Sequence, residues 1–194
     1  VPITQRHWPI ARFFGYYPGT VAVITAEHGG VRNVMSAGWH AALSIDPPMY
    51  GVAVGRTRAT HPLITASGQF AVHFLPFSEA SVIAAVGSVS LSALSGEDKF
   101  ARFNLAVLEQ PSSPPILKAA YLAYVCRVTG VTPTGDHDWI AGEVEAVYFD
   151  EAAYDTQSLF AVDQAQATIY LGRSTYVALD GKAPQQTFTP GQFK

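Results

Sequence analysis

Cysteine, charge and long apolar runs are all scarce in this sequence. Its 194 residues hold one cysteine, only 14% are charged, and no apolar run reaches the roughly 18–20 residues that a membrane-spanning helix needs. The lone thiol, Cys126, cannot form an internal disulfide, and its neighbours Tyr124, Val125 and Val128 mark a buried, inert strand position. With a net charge of −3 and scattered lysines and arginines, the chain lacks the clustered positive face that a nucleic-acid backbone demands. No nucleic-acid partner is expected. The missing span excludes a helical membrane anchor, and residues 1–10 lack a basic region followed by an apolar core, so the expected location is cytoplasmic. Few charges beside 48% hydrophobic residues leave apolar surface to be covered, which points to a second copy of the chain.

The usual catalytic signatures are missing as well. Gly15, Gly19 and the Gly29-Gly30 pair do not form G-x-G-x-x-G, and G-x-x-x-x-G-K-[ST] is absent, which excludes a Rossmann or P-loop enzyme. Histidines stand at 7, 28, 40, 61, 73 and 137 without H-E-x-x-H spacing or a cysteine pair, so no metal site is expected. Ser67-Gly68 lacks the G-x-S-x-G elbow of a hydrolase.

What is present reads mainly as strand. Residues 20–26 (TVAVITA) are β-branched and run into His28-Gly29-Gly30, a hairpin turn whose partner strand is 31–36. Residues 49–54 and 69–75 are further strands, separated by a short helix over 60–66 that Thr60 opens as a cap and Gly68 closes. Residues 78–86 and 97–102 read as short helices flanking 87–96, a Ser- and Gly-rich excursion expected to be mobile and peripheral. After the rigid connector 111–115, strands 121–131 and 139–150 pair antiparallel across 132–138, and strand character returns at Tyr170-Leu171-Gly172. Six or more strands without regular strand–helix alternation favour an antiparallel barrel, closed or partly closed, over a doubly wound sheet. The length suits a single domain over 1–194, all-β to α+β, with short peripheral helices.

Chemistry concentrates in residues 32–60. The segment Asn33-Val34-Met35-Ser36-Ala37-Gly38-Trp39 follows the hairpin turn, Ser44-Ile45-Asp46-Pro47-Pro48 precedes a strand, and Arg58-Ala59-Thr60 starts a helix. Small residues such as Ser36, Ala37 and Gly38 let the backbone approach a planar ring edge-on. Arg58 and Thr60, at a helix start, suit a phosphate.

In this order these blocks resemble the flavin reductase-like, FMN-binding split-barrel family, which includes flavoredoxins and the reductase components of two-component monooxygenases. Gly135-Asp136-His137 leading into Gly142-Glu143-Val144 adds a fifth matching block, and the resemblance runs from about residue 17 to 150 with an echo at 170–176. It implies an antiparallel split β-barrel. It also implies that Asn33, Met35, Ser36, Ala37, Gly38 and Ser44 line the ring and its side chain, that Arg58 and Thr60 hold the FMN phosphate, and that His137 orients the nicotinamide as a donor. Relatives often carry cysteine and proline after the tryptophan, where this chain has Trp39-His40-Ala41-Ala42-Leu43, so His40 is a candidate for tuning the flavin potential.

The resulting expectation is an enzyme, an NAD(P)H-dependent oxidoreductase. Hydride passes from NADH or NADPH to FMN, with FAD as the alternative, and then to free flavin, a monooxygenase partner or another acceptor. A homodimer with the flavin near its interface is implied. Two competing readings are a flavin-binding electron carrier and a binding module for haem or another planar ligand.

Overall fold

A computed structural model describes residues 5, 17–94, 96–109, 114–182, 184 and 186. Apart from Gln5, the N-terminal segment 1–10 lies outside the described residues, as do 111–113 of the connector. Thirteen strands and helices matter for the site, taken in chain order. They are β1 (Gly19–Thr20), β2 (Ala22–His28), β3 (Val31–Ala37), β4 (His40–Ile45), β5 (Pro48–Gly55), α1 (Thr60–Ser67) and β6 (Gln69–Phe74). After these come α2 (Ala80–Ser88), α3 (Lys99–Arg102), β7 (Leu122–Thr134), β8 (His137–Phe149), β9 (Ala167–Gly172) and β10 (Thr175–Leu179).

Residues 21–26 are buried at every position because both faces of β2 are covered. Ala22, Ile24 and Ala26 pack with Val52, Val54, Phe70, Val72, Cys126 and Ile140, and Ile64 of α1 joins them. Val21 and Val23 face the opposite way, onto Ile83 and Val86 of α2 and Phe100 of α3. Between β2 and β3, Gly29 and Gly30 both have positive φ (59° and 77°), as a two-residue primed hairpin turn requires.

Seven strands form one antiparallel sheet in the order β3-β2-β6-β7-β8-β5-β4. Laid flat at about 4.8 Å per strand, its two edges would stand roughly 29 Å apart. Yet β3 and β4, the edges, are joined by Gly38 and Trp39 alone, so the Cα atoms of Ala37 and His40 lie within about 11 Å of each other. The sheet therefore rolls up until its edges meet at this corner, where the Ala53 amide donates to the Trp39 carbonyl at 2.9 Å. No ladder pairs β3 with β4, so the barrel is split rather than closed. A second sheet, β1-β9-β10, stands beside the corner.

Several elements differ from the sequence reading. The strand expected over 20–26 divides at Val21, since Gly19–Thr20 pairs with β9 while Ala22–His28 pairs with β3 and β6. Residues 40–45 form a strand where only a turn was legible, because Ala41, Ala42 and Leu43 are all exposed on an edge and show no alternation. The long hairpin β7–β8 extends further than expected, leaving Gly135-Asp136 as a two-residue turn with Gly135 at φ 73°. Thr60 does not cap α1: Ala59 takes the cap position without a side-chain hydrogen bond, and the Thr60 hydroxyl serves another residue. Cys126 is fully buried as expected, and burial pushes its thiol up to about 12. Among the described residues no helix is long and apolar enough to cross a membrane, and no cluster of His, Cys, Asp or Glu could hold a metal.

Candidate functional site

Rolling the sheet brings the ends of β3, β5, α2 and β8 and the starts of α1 and α3 around one cavity of about 260 Å³. Small residues keep the walls close. A Cβ added at Gly87 would lie 3.2 Å from the Ser36 Cβ, and one at Gly55 would lie 3.5 Å from both the Arg58 Cγ and the His137 Nε2. Ser36 donates its hydroxyl to the Ile83 carbonyl at 2.5 Å, which ties β3 to α2 and commits that hydroxyl to the fold.

One end of the cavity is cationic. Arg58 and Lys99 both line it, the start of α1 lies there, and no Asp or Glu is among the lining residues. Lys99 is only 3% exposed, and its ammonium donates to the Val34 and Val86 carbonyls, each at 2.9 Å. An ammonium carries three N–H donors, so one remains after these two bonds. Burial, with Arg58 nearby, holds the Lys99 ammonium down at about 8. Its helix is pinned from outside. Asp98 accepts from the Ala101 amide at 2.7 Å as the cap of α3 and from Arg32 of β3 at 2.8 Å, while Arg32 lies 4.5 Å above the Phe100 ring.

Next to Arg58 the wall turns aromatic. The Trp39 and His137 rings stand 5.0 Å apart and tilted, and Tyr170 lies against Gly38. His137 Nδ1 meets Asp136 Oδ1 at 2.7 Å, and because an ionised carboxylate can only accept, the proton belongs on Nδ1. The neutral ring therefore offers Nε2 to the cavity as an acceptor, and donates there only when doubly protonated. Asn33, 2% exposed, stands by the start of α1, where its Nδ2 donates to the Thr60 hydroxyl at 2.9 Å. Asn33 Oδ1 is buried and has no hydrogen-bond partner within the protein.

The sequence pattern of the flavin reductase-like domain matches residues 14–175. The chain belongs to the flavin reductase-like domain family. An uncharacterized protein from Aeropyrum pernix is 32% identical over 81% of this chain, and the aligned part is 59% of that protein's length. The NADH:riboflavin 5'-phosphate oxidoreductase of Streptomyces pristinaespiralis is 30% identical over 63% of this chain and 66% of that enzyme. Among solved structures, the FMN-binding protein of Thermus thermophilus with bound 1-cyclohex-2-enone superimposes with a TM-score of 0.81 at 28% identity, covering 98% of this chain and 100% of that one.

Within this flavin reductase-like fold the residues singled out from the sequence fall into two groups. Asn33, Met35, Ser36, Ala37, Gly38, Arg58, Thr60 and His137 all line the one cavity. Ser44 does not, because it lies on β4 opposite Met49, beyond the corner that turns the chain away. His40 is also off the lining: its ring packs on Tyr50 and Phe74 inside the barrel, hydrogen-bonded to the Tyr50 hydroxyl at 2.7 Å and the Thr20 carbonyl at 3.1 Å. Burial lowers its proton affinity, opposite to the charged role expected for it. Far from being peripheral, the stretch 87–96, which begins within α2, supplies Gly87, Val89, Ser90 and Leu91 to the cavity wall. Lys99 was not legible as a site residue. Only the preceding Asp98, a helix-capping residue type, hinted at an anchored helix, and nothing in the spacing announced a buried ammonium.

Proposed function

We propose that this cavity binds FMN and that the protein is an oxidoreductase taking hydride from NADH or NADPH and passing electrons on to free flavin, a monooxygenase partner or another acceptor. The observation that carries the reading is the cationic end: two cations and a helix start with no carboxylate among the lining residues, a combination that favours a dianionic phosphate. The unpartnered Asn33 Oδ1 fits the same group, since an isoalloxazine edge carries an N–H donor. Bound flavin would supply the hydride chemistry that no side chain here can perform.

The chain's own residues bind and orient. Arg58 and the spare N–H of Lys99 hold the phosphate, and the backbone of 36–38 approaches the ring edge without side-chain obstruction. His137 Nε2 accepts from the carboxamide N–H of the nicotinamide, with Trp39 as the neighbouring wall. The reading includes a homodimer, supported by the β4 edge, where Leu43 is 43% and Ile45 95% exposed. Ser44 sits on that edge and would reach a cavity only through such pairing.

Two measurements test this. Purified protein reconstituted with FMN should turn yellow and bleach anaerobically on addition of NADH or NADPH. Failure to retain FMN would refute the site, whereas bound FMN that dithionite reduces but neither nucleotide does would leave an electron carrier. Light scattering on the same sample should give a dimer mass.

A further inference from the structure

We infer that Asp138, which does not line the cavity, is the positioning residue that keeps Arg58 and Thr60 in register with His137; this rests on the FMN and nicotinamide reading above. Gly55 closes β5 opposite His137, the first residue of β8. Beyond that pair the two chains part, one turning through Arg58 into α1 and the other into the Gly135-Asp136 turn. The backbone tie there, from the Arg56 amide to the Asp136 carbonyl, is a long 3.4 Å.

Asp138 supplies what the backbone does not. Its Oδ1 accepts from Arg56 at 2.7 Å, and its Oδ2 accepts from His61 Nε2 at 2.8 Å. The carboxylate side chain is only 10% exposed, and the Arg56 guanidinium in particular holds it below the usual carboxylate range. Each group it joins stands next to a cavity residue: Arg56 two positions before Arg58, His61 directly after Thr60, and Asp138 directly after His137. Successive strand residues point to opposite faces, so Asp138 grips from behind while His137 faces the cavity. One carboxylate thus ties the segment that carries Arg58 and Thr60 to the strand that carries His137, so its loss loosens the contacts of both ligands at once.

The test compares Asp138→Ala, His61→Ala and His61→Gln with the unmodified full-length protein, measuring the FMN Kd by fluorescence quenching and the KM for NADH. Asp138→Ala should raise both constants by about tenfold while kcat falls less than about threefold, as loss of a charge-assisted bond at one remove predicts. His61→Gln, whose amide N–H can still reach Oδ2, should stay within about threefold of the unmodified protein, and His61→Ala should not. An Asp138→Ala protein with either constant unchanged overturns the inference, because the clamp must act on both segments. If that variant fails to fold, equal behaviour of His61→Ala and His61→Gln overturns it instead. A protein that binds no FMN refutes the functional reading alone. In that case ring-nitrogen NMR of the apoprotein decides: both His61 and His137 must shift in Asp138→Ala, and His137 must shift in His61→Ala, whereas a His137 signal unmoved in His61→Ala rejects the clamp.

Discussion

Arg127 on the solvent side of β7 donates to Glu145 at 2.8 Å and to Glu143 at 2.5 Å, so its charge is answered twice on the sheet surface. Arg58 lines the cavity, and among the described residues it forms no ion pair; its neighbour Lys99 is bonded only to carbonyl oxygens. A folded protein has little reason to crowd two cations together without a counter-charge. Arg127 shows that the chain supplies carboxylates where they serve only structure. The contrast is what the proposed phosphate site rests on: two cations at the cavity, with no acid among its lining residues to answer them.

The sharpest way to break that contrast is Arg58→Ala. Loss of a charged hydrogen bond to phosphate should weaken FMN binding roughly 10–100-fold, read from flavin fluorescence quenching, and unchanged affinity would remove the distinction between the two arginines. Lys99→Met should cost about tenfold for FMN but less than about twofold for riboflavin, which lacks the phosphate, so equal losses for both flavins would assign Lys99 a purely structural role.

The pH dependence is a subtler test. With the folded Lys99 at about 8 and its ordinary value at 10.5, FMN affinity should decline as pH rises past about 8, while riboflavin affinity should not follow. Stability of the flavin-free protein should move the other way. Between these two values the unfolded chain binds more protons, so the Lys99 contribution to stability rises with pH across the window. Urea midpoints between pH 7.5 and 10.5, compared with Lys99→Met, measure it; a slope identical in the variant would show that Lys99 is not the group responsible. The smallest effect belongs to Arg127→Ala, at most about 1 kcal/mol of stability in urea titrations, with FMN affinity unmoved.

Much of the site was legible because its residues lie in short blocks whose types carry their own chemistry. Small residues at 36–38, an arginine at a helix start, and a Gly-Asp-His turn need no partner to be noticed. Lys99 and Asp138 escaped for a common reason: the one acts because it is buried between Val34 and Val86, the other because strand pairing sets it against Arg56 and His61. Ser44 and His40 stand off this cavity for the opposite reason, since proximity in sequence to Trp39 suggested proximity in space, and the corner at 38–39 turns the chain away.

The amino-acid order by itself determined most of the strands, the glycine hairpin turns and family membership, because alternation, β-branching and turn glycines act over a few residues at a time. Only the tertiary structure decided which charges are left unanswered. A two-residue link between the outermost strands rolls the sheet, and this long-range closure sets Arg58, Lys99, Asn33 and His137 around one cavity while sending Ser44 and His40 elsewhere.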